Sequence, residues 1–280
     1  MPIITLTTDF GEKDHFVGAV KGAIYSELSD TRIVDISHSI PPFHSTEAAY
    51  IIQNAYKSFP PGTIHIIGID SELNPENRHI AVKLDGHYFV CANNGIISML
   101  ASEINPEKIV EINIHDRIIS NFPVLDVFVK VACHLARGGT LEVIGKPIEK
   151  IKELVGIKPV INSESNQIIG NVIYIDNYGN VVSNITRAIF EDIGKGRPYK
   201  ITARRAHFSN IHSQYSDAIN FEISKERREE DGKKLAIWNS SGYLELAIYK
   251  SNPSTVGSAS SLFGLQFRDA VTVNFSPLVS

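Results

Sequence analysis

The 280-residue sequence holds two cysteines, Cys91 and Cys133, and a single tryptophan. Neither cysteine belongs to a CxxC pair or a His/Cys cluster, and both sit among apolar neighbours (FVCANN and VKVACHLA). A disulfide framework is therefore excluded, no metal site is expected, and the thiols are expected to be buried and reduced. No apolar run approaches the ~18 residues of a membrane helix, and the N-terminus opens straight into a strand rather than a leader segment. The chain is accordingly read as cytoplasmic, with no membrane partner. An excess of one charge is missing too. Lys and Arg total 27 against 31 Asp and Glu, and the longest charged run, 225–234, mixes both signs. That pattern gives no reason to expect a nucleic-acid partner. No GxGxxG follows the first strand, and neither GxxxxGK[ST] nor GxSxG occurs. Nicotinamide, P-loop and serine-hydrolase sites lose their usual signatures.

What is present is globular material, with 43% apolar residues and no internal repeat. Residues 2–8 (PIITLTT) read as a buried strand, 15–28 as a helix and 32–36 as a strand. Residues 45–58 read as a helix stopped by Pro60-Pro61, and 63–69 as a strand. Residues 79–84 and 87–91 pair as a hairpin across Asp85-Gly86; 109–114 is a strand and 124–135 a helix. This alternation predicts an α/β domain over 1–152, a largely parallel sheet with helices on both faces. Residues 153–167 read as a linker. From 168 to 280 short strands dominate, with one helix near 186–193, predicting a mainly-β, barrel-like domain.

Polar residues at strand ends are the candidates for chemistry. Asp9 follows the first strand and Asp14 begins the next helix. A carboxylate there accepts hydrogen bonds from both hydroxyls of a ribose or pairs with an ammonium group; equally, it serves a turn or a cap. Asp70 ends the third strand and Arg78 stands eight residues later. As a pair they would flank a pocket and fix a small nucleophile or anion, or form a plain salt bridge. The loop Asp176-Asn177-Tyr178-Gly179-Asn180 has turn composition. It also offers an aromatic face beside acceptors and amides, which a purine needs. Asn239-Ser240-Ser241-Gly242 supplies a second polar loop.

Five segments in order carry a resemblance: TTDFGEKDHFVGAVKGAI (7–24), IVDISHSIPPF (33–43), NNGIISML (93–100), IDNYGNVVSNI (175–185) and NSSGYLELA (239–247). Together they resemble the S-adenosyl-L-methionine (SAM) hydroxide adenosyltransferases, relatives of fluorinase and chlorinase, over almost the whole chain. The resemblance implies a homotrimer with SAM held between subunits, and no cofactor beyond SAM itself. Asp9 would bind the ribose diol and Asp14 the methionine end. Phe43, Tyr178 and Tyr215 would wall the adenosyl group, and Asp176, Asn180, Asn239 and Ser240 would complete the polar contacts, with Asn94 on a nearby loop. The implied reaction is attack of water or hydroxide at the ribose C5′, held by an Asp–Arg–His set and releasing adenosine and L-methionine.

The sequence departs from that pattern at the nucleophile. Asp70 and Arg78 fit the first two roles, but the stretch between them reads SELNPEN rather than glycine-rich and is one residue longer. The family's FHGRD appears as Phe122-Pro123-Val124-Leu125-Asp126, with Pro123 in the histidine's place. Val124 offers no hydrogen bond to a halide, which disfavours a halogenase. His15, His44, His79 and His115 are the histidines that would have to substitute. The expectation is SAM hydrolysis with Asp70 and Arg78 as catalytic residues; the alternative is a SAM- or adenosine-binding module or sensor without turnover.

Overall fold

The computed structural model describes residues 2–101, 104–114, 118, 120–154, 158–228, 230 and 232–277. His115 lies outside the described residues. The chain divides into two compact units, Met1–Val155 and Gly156–Ser280.

The first unit runs β1 (Ile3–Thr8), α1 (Phe16–Glu27), β2 (Arg32–Ser37), α2 (Ser45–Ala55), β3 (Ile64–Gly68), β4 (His79–Leu84) and β5 (His87–Ala92). It continues through α3 (Ile96–Leu100), β6 (Lys108–Ile112), α4 (Val129–Ala136), α5 (Leu141–Ile144) and β7 (Gly145–Pro147). One sheet results, ordered β2-β1-β3-β5-β4-β6-β7. β2, β1, β3 and β5 are mutually parallel, and β4 turns back against β5. The reversal is local chemistry. Asp85 and Gly86 both take positive φ (53° and 74°), the primed turn that a two-residue hairpin requires. β6 then realigns with the main direction and β7 opposes it, so five of the seven strands run the same way. The central strands β1 and β3 bury Ile4, Leu6, Ile64 and Ile66, the edge strand β2 is largely exposed, and α1 adds Val20 and Ile24 at helical spacing. Ahead of α4 stands a five-residue π-helix, Val124–Phe128, entered from Pro123, where a missing N–H costs nothing.

In the second unit β8 (Val160–Ile161), inside the stretch read as linker, pairs with β9 (Gln167–Ile175). β10 (Val181–Thr186), α6 (Arg187–Gly194), β11 (Tyr199–Ala203), β12 (Ala206–Phe208), β13 (Ile211–His212), β14 (Lys234–Trp238), β15 (Tyr243–Ile248), α7 (Ala259–Phe263) and β16 (Ala270–Phe275) follow. The sheet order is β12-β11-β16-β9-β10-β15-β14-β13, a nearly closed barrel-like sheet. Register shifts on both sides of β10 bend that strand. Thr186 caps α6, its hydroxyl accepting from the Ile189 N–H at 3.3 Å. Among the described residues no helix is long and apolar enough to cross a membrane.

The first core carries an unusual polar string. Thr5 Oγ1 lies 2.7 Å from His65 Nδ1, and His65 Nε2 lies 3.2 Å from His87 Nδ1. Phe89 stacks on His65 at 4.8 Å. Burial, and then the neighbouring His87, push His65 down to about 3. The unfolded histidine takes up a proton near its ordinary 6.5, whereas the folded one refuses it. Stability from this group is therefore complete above 6.5 and is lost as pH falls towards 3. Lowering the pH from 6.5 to 5 is expected to cost the first unit about 2 kcal/mol, read from urea midpoints. In His65→Gln that acid slope is expected to flatten.

Candidate active site

β1 and β3 are parallel neighbours with Thr8 opposite Gly68. Their C-terminal ends therefore deliver Asp9 and Asp70 side by side, although the two residues are far apart in sequence. Both line a cleft of about 630 Å³ with Phe10, Phe16, Phe43, Phe122 and Pro123 among its walls. Phe10, Phe16 and Phe122 pack on one another at centroid distances of 5.4–5.8 Å. That cluster makes one side of the cleft dry. Gly68 fits beneath it because an added Cβ would stand 3.1–3.2 Å from Val124, Phe10 and Thr8.

Asp9 is the most organised carboxylate in this cleft. Its Oδ2 accepts the Phe43 N–H at 2.8 Å. Burial raises its pKa above the ordinary 3.8, the Asp70 charge adds to that, and the N–H groups of Phe43 and Asp70 pull the other way. Phe43 and Asp70 both hold the left-handed conformation, φ 64° and 43°, which non-glycine residues adopt only when their surroundings impose it. The Phe43 ring is 73% exposed and free to meet a ligand.

Three candidates of this unit lie elsewhere than expected. Arg78 is exposed beside Glu111 and Lys146 in an adjoining cleft that shares Leu73 with the Asp9 cleft, and among the described residues no ion pair joins it to Asp70. The eight-residue spacing leads the chain out of the strand and around a turn, so proximity in sequence is not proximity of side chains. Asn94 is buried; its amide donates to the Ile69 carbonyl at 2.9 Å and its oxygen accepts from the Ile96 N–H. It shapes the strand end rather than facing solvent. Asp14 is exposed and precedes the helix, whose N-cap is His15 without a side-chain cap bond. Of the histidines weighed as substitutes, His15 is exposed and His44 caps α2, accepting from the Glu47 N–H. His79 is fully buried and donates to the Ser71 carbonyl at 2.8 Å.

The remaining candidates share the second unit. The Asp176 carboxylate accepts from the N–H groups of Tyr178 and Asn180 at 2.9 and 2.8 Å and from the Asn180 amide at 3.0 Å. This closes the loop and leaves Tyr178 63% exposed on its tip. Tyr215 is 41% exposed, yet its hydroxyl donates to Glu245 at 2.6 Å. Asn239 closes its own turn, its oxygen accepting from Ser241 and Tyr243. Ser240 stands exposed beside it. Glu245, absent from the sequence-derived candidates, is the centre of this group. Burial raises its pKa and the Asp176 charge adds to that, while the Tyr215 hydroxyl and the Asn239 amide lower it. Its signal was there to see: a lone carboxylate in the apolar strand YLELA. Tyr215→Phe strips a buried carboxylate of its strongest donor, and is expected to lower stability by about 1–3 kcal/mol in chemical denaturation.

Comparison with known proteins adds to this geometry. Residues 4–145 match the SAM hydroxide adenosyltransferase N-terminal domain and residues 170–272 the C-terminal domain of the same family. The chain belongs to the SAM hydroxide adenosyltransferase family. A relative from Methanocaldococcus jannaschii, named (R)-S-adenosyl-L-methionine hydrolase, is 29% identical over 98% of this chain and 96% of its own. A fluorinase from Actinopolyspora mzabensis is 25% identical over 88% and 90%. Among solved structures, an uncharacterized conserved protein from Thermotoga maritima superposes with a TM-score of 0.80 at 27% identity, over 97% of this chain and 99% of that one. In this member of the family, then, the cleft of the N-terminal domain gathers Asp9, Asp70 and Phe43. The C-terminal domain gathers Asp176, Asn180, Tyr178, Tyr215, Asn239 and Glu245.

Proposed function

We propose that this chain hydrolyses SAM to adenosine and L-methionine. Support comes from the match of both domains to one family and from full-length relatives named as SAM hydrolases. The observation that carries the reading is Asp9: a carboxylate held by the Phe43 N–H at the mouth of a cleft with an aromatic wall. Such a group suits two ribose hydroxyls, which would dock the nucleoside with its C5′ towards the cleft.

The reaction is an in-line displacement. A water oxygen bonds to C5′ as the C5′–S bond breaks, and its electron pair returns to sulfur, so the sulfonium leaves as a neutral thioether. The water's surplus proton passes to a carboxylate, and Asp70, next to Asp9, is the group assigned to it. The leaving group needs no acid, so the protein's task is alignment and a dry, shaped surface. Phe10, Phe16 and Phe122 provide the latter. Pro123 stands where the resemblance implied a histidine, and among the described residues no ion pair joins Arg78 to Asp70, so Asp70 is the group we assign to hold the nucleophile. We assign Phe43, Tyr178 and Tyr215 to the adenosyl walls, Asp176, Asn180, Asn239 and Ser240 to polar contacts, and Asp14 to the methionine end. A cytoplasmic homotrimer with SAM between neighbouring subunits completes the proposal.

Incubation of purified protein with SAM, with adenosine followed by chromatography, tests it. Asp70→Ala is expected to lower adenosine release by about 10²-fold or more with SAM affinity little changed. Tight SAM binding with no adenosine above the variant's background would make the protein a binding module. Neither binding nor release would reject the assignment.

A further inference from the structure

Four consecutive backbone carbonyls at the end of β3 are each held by a buried side-chain donor. The Ile69 carbonyl accepts from the Asn94 amide at 2.9 Å, and the Asp70 carbonyl accepts from the Asn77 amide at 2.6 Å. The Ser71 carbonyl lies 2.8 Å from His79 Nε2, and the Glu72 carbonyl accepts from Asn77 again at 3.1 Å. The three donors are 8%, 6% and 0% exposed. Burying three polar side chains to hold one short turn is costly unless the turn's shape matters. Asn77 sharpens the point. Its Oδ1 is buried without a hydrogen-bond partner among the described residues, so the side chain is kept for its donor half. The amide cannot be reversed, because its nitrogen meets two carbonyl oxygens.

The turn they hold contains Asp70 at φ 43°. An aspartate left to itself relaxes to negative φ, which would carry its carboxylate and N–H away from Asp9. Asn77 closes the same turn through the backbone, exchanging hydrogen bonds with Asn74. The His79 ring also packs against Phe128 in a T-shaped arrangement, with centroids 4.7 Å apart. The strained residue is thus over-determined by its neighbours, which is how such strain persists at a working site.

We propose that Asn77 and His79, with Asn94 behind them, are positioning residues that lock Asp70 in its left-handed conformation for turnover. They touch no substrate and act through Asp70. The inference rests on the hydrolase reading for its kinetic part, and its structural part stands separately. It also accounts for SELNPEN, where the family resemblance implied glycines. Side-chain donors here do the shaping: Asn77 is the last residue of that stretch and His79 lies two residues beyond it.

The test combines crystal structures and SAM kinetics of Asn77→Ala, Asn77→Ser, His79→Ala and His79→Gln, the last keeping an amide donor near the Nε2 position. In Asn77→Ala the Asp70 φ is expected to leave the positive region, and kcat to fall about 10- to 100-fold with KM changed less than about 3-fold. His79→Gln is expected to recover most of the loss seen in His79→Ala. Asn77→Ser removes the reach with a smaller cavity and serves if the alanine variant does not fold. An Asp70 backbone unchanged in both Asn77 variants, or full kcat despite a moved one, overturns the proposal. If the wild type itself releases no adenosine, the hydrolase reading fails while the Asp70 φ in the variants still decides the positioning claim.

Discussion

Asp9→Asn is expected to lower kcat/KM for SAM by about 10²–10³-fold, the largest kinetic effect of any conservative change in the first unit. The substitution preserves size, and its amide oxygen can still accept the Phe43 N–H at 2.8 Å, so the fold should survive. What it removes is the second acceptor. A ribose diol presents two donors, and an amide offers one acceptor and a competing donor. The same carboxylate should govern the acid limb of the pH profile. Burial and the Asp70 charge raise its pKa above 3.8, so the protonated, inactive form appears at a higher pH than for an ordinary aspartate. The kcat/KM profile of the wild type is therefore expected to fall on the acid side through an apparent pKa above that value. A variant within about threefold of wild type would remove Asp9 from the ribose site.

The second large effect is structural. Gly179→Ala is expected to destabilise the second unit by about 2–4 kcal/mol and lower its melting temperature by roughly 10 °C. Gly179 sits at φ 74°, and an added Cβ would lie 2.2 Å from Ser258 Oγ and 2.3 Å from Ser258 Cβ. Neither atom can withdraw cheaply. Ser258 is 1% exposed and caps α7, and the Gly179 carbonyl accepts the Ser260 N–H at 2.9 Å. Relief must come from moving the Asp176–Asn180 loop, so SAM affinity should fall with stability. Gly196→Ala is the control. It has a similar φ of 75° but nothing within 4 Å, so only the conformational penalty of about 1–2 kcal/mol is expected. Equal melting temperatures for the two variants would show that the Ser258 contact does not restrain the loop.

The pattern of residues along the chain determined a good deal without any coordinates. Local periodicity and turn chemistry are encoded within a few neighbours. That is why α1, the Asp85-Gly86 hairpin, the helix near 186–193 and the change to a strand-rich second half were all legible. The sheet's antiparallel rim was not, because the pairing of β6 and β7 depends on partners distant in sequence. The site divides in the same way. Asp9 was readable as a strand-end carboxylate and Tyr178 as an exposed aromatic in a polar turn. Glu245 is not legible as a site residue because a strand's sequence does not say which donors will meet it; Tyr215 and Asn239 reach it only in the folded barrel. Asp70 and Arg78 looked like a pair because they are close in sequence, yet the turn between them sends the two side chains to different clefts. Asn94, on the NNG loop, is buried and its amide holds the Ile69 carbonyl, which its sequence neighbours do not reveal. Residue type thus determined which groups were available for chemistry. Only the tertiary structure decided which of them line the cleft or stand exposed and which hold others in place, since burial and strand adjacency are properties of the whole fold.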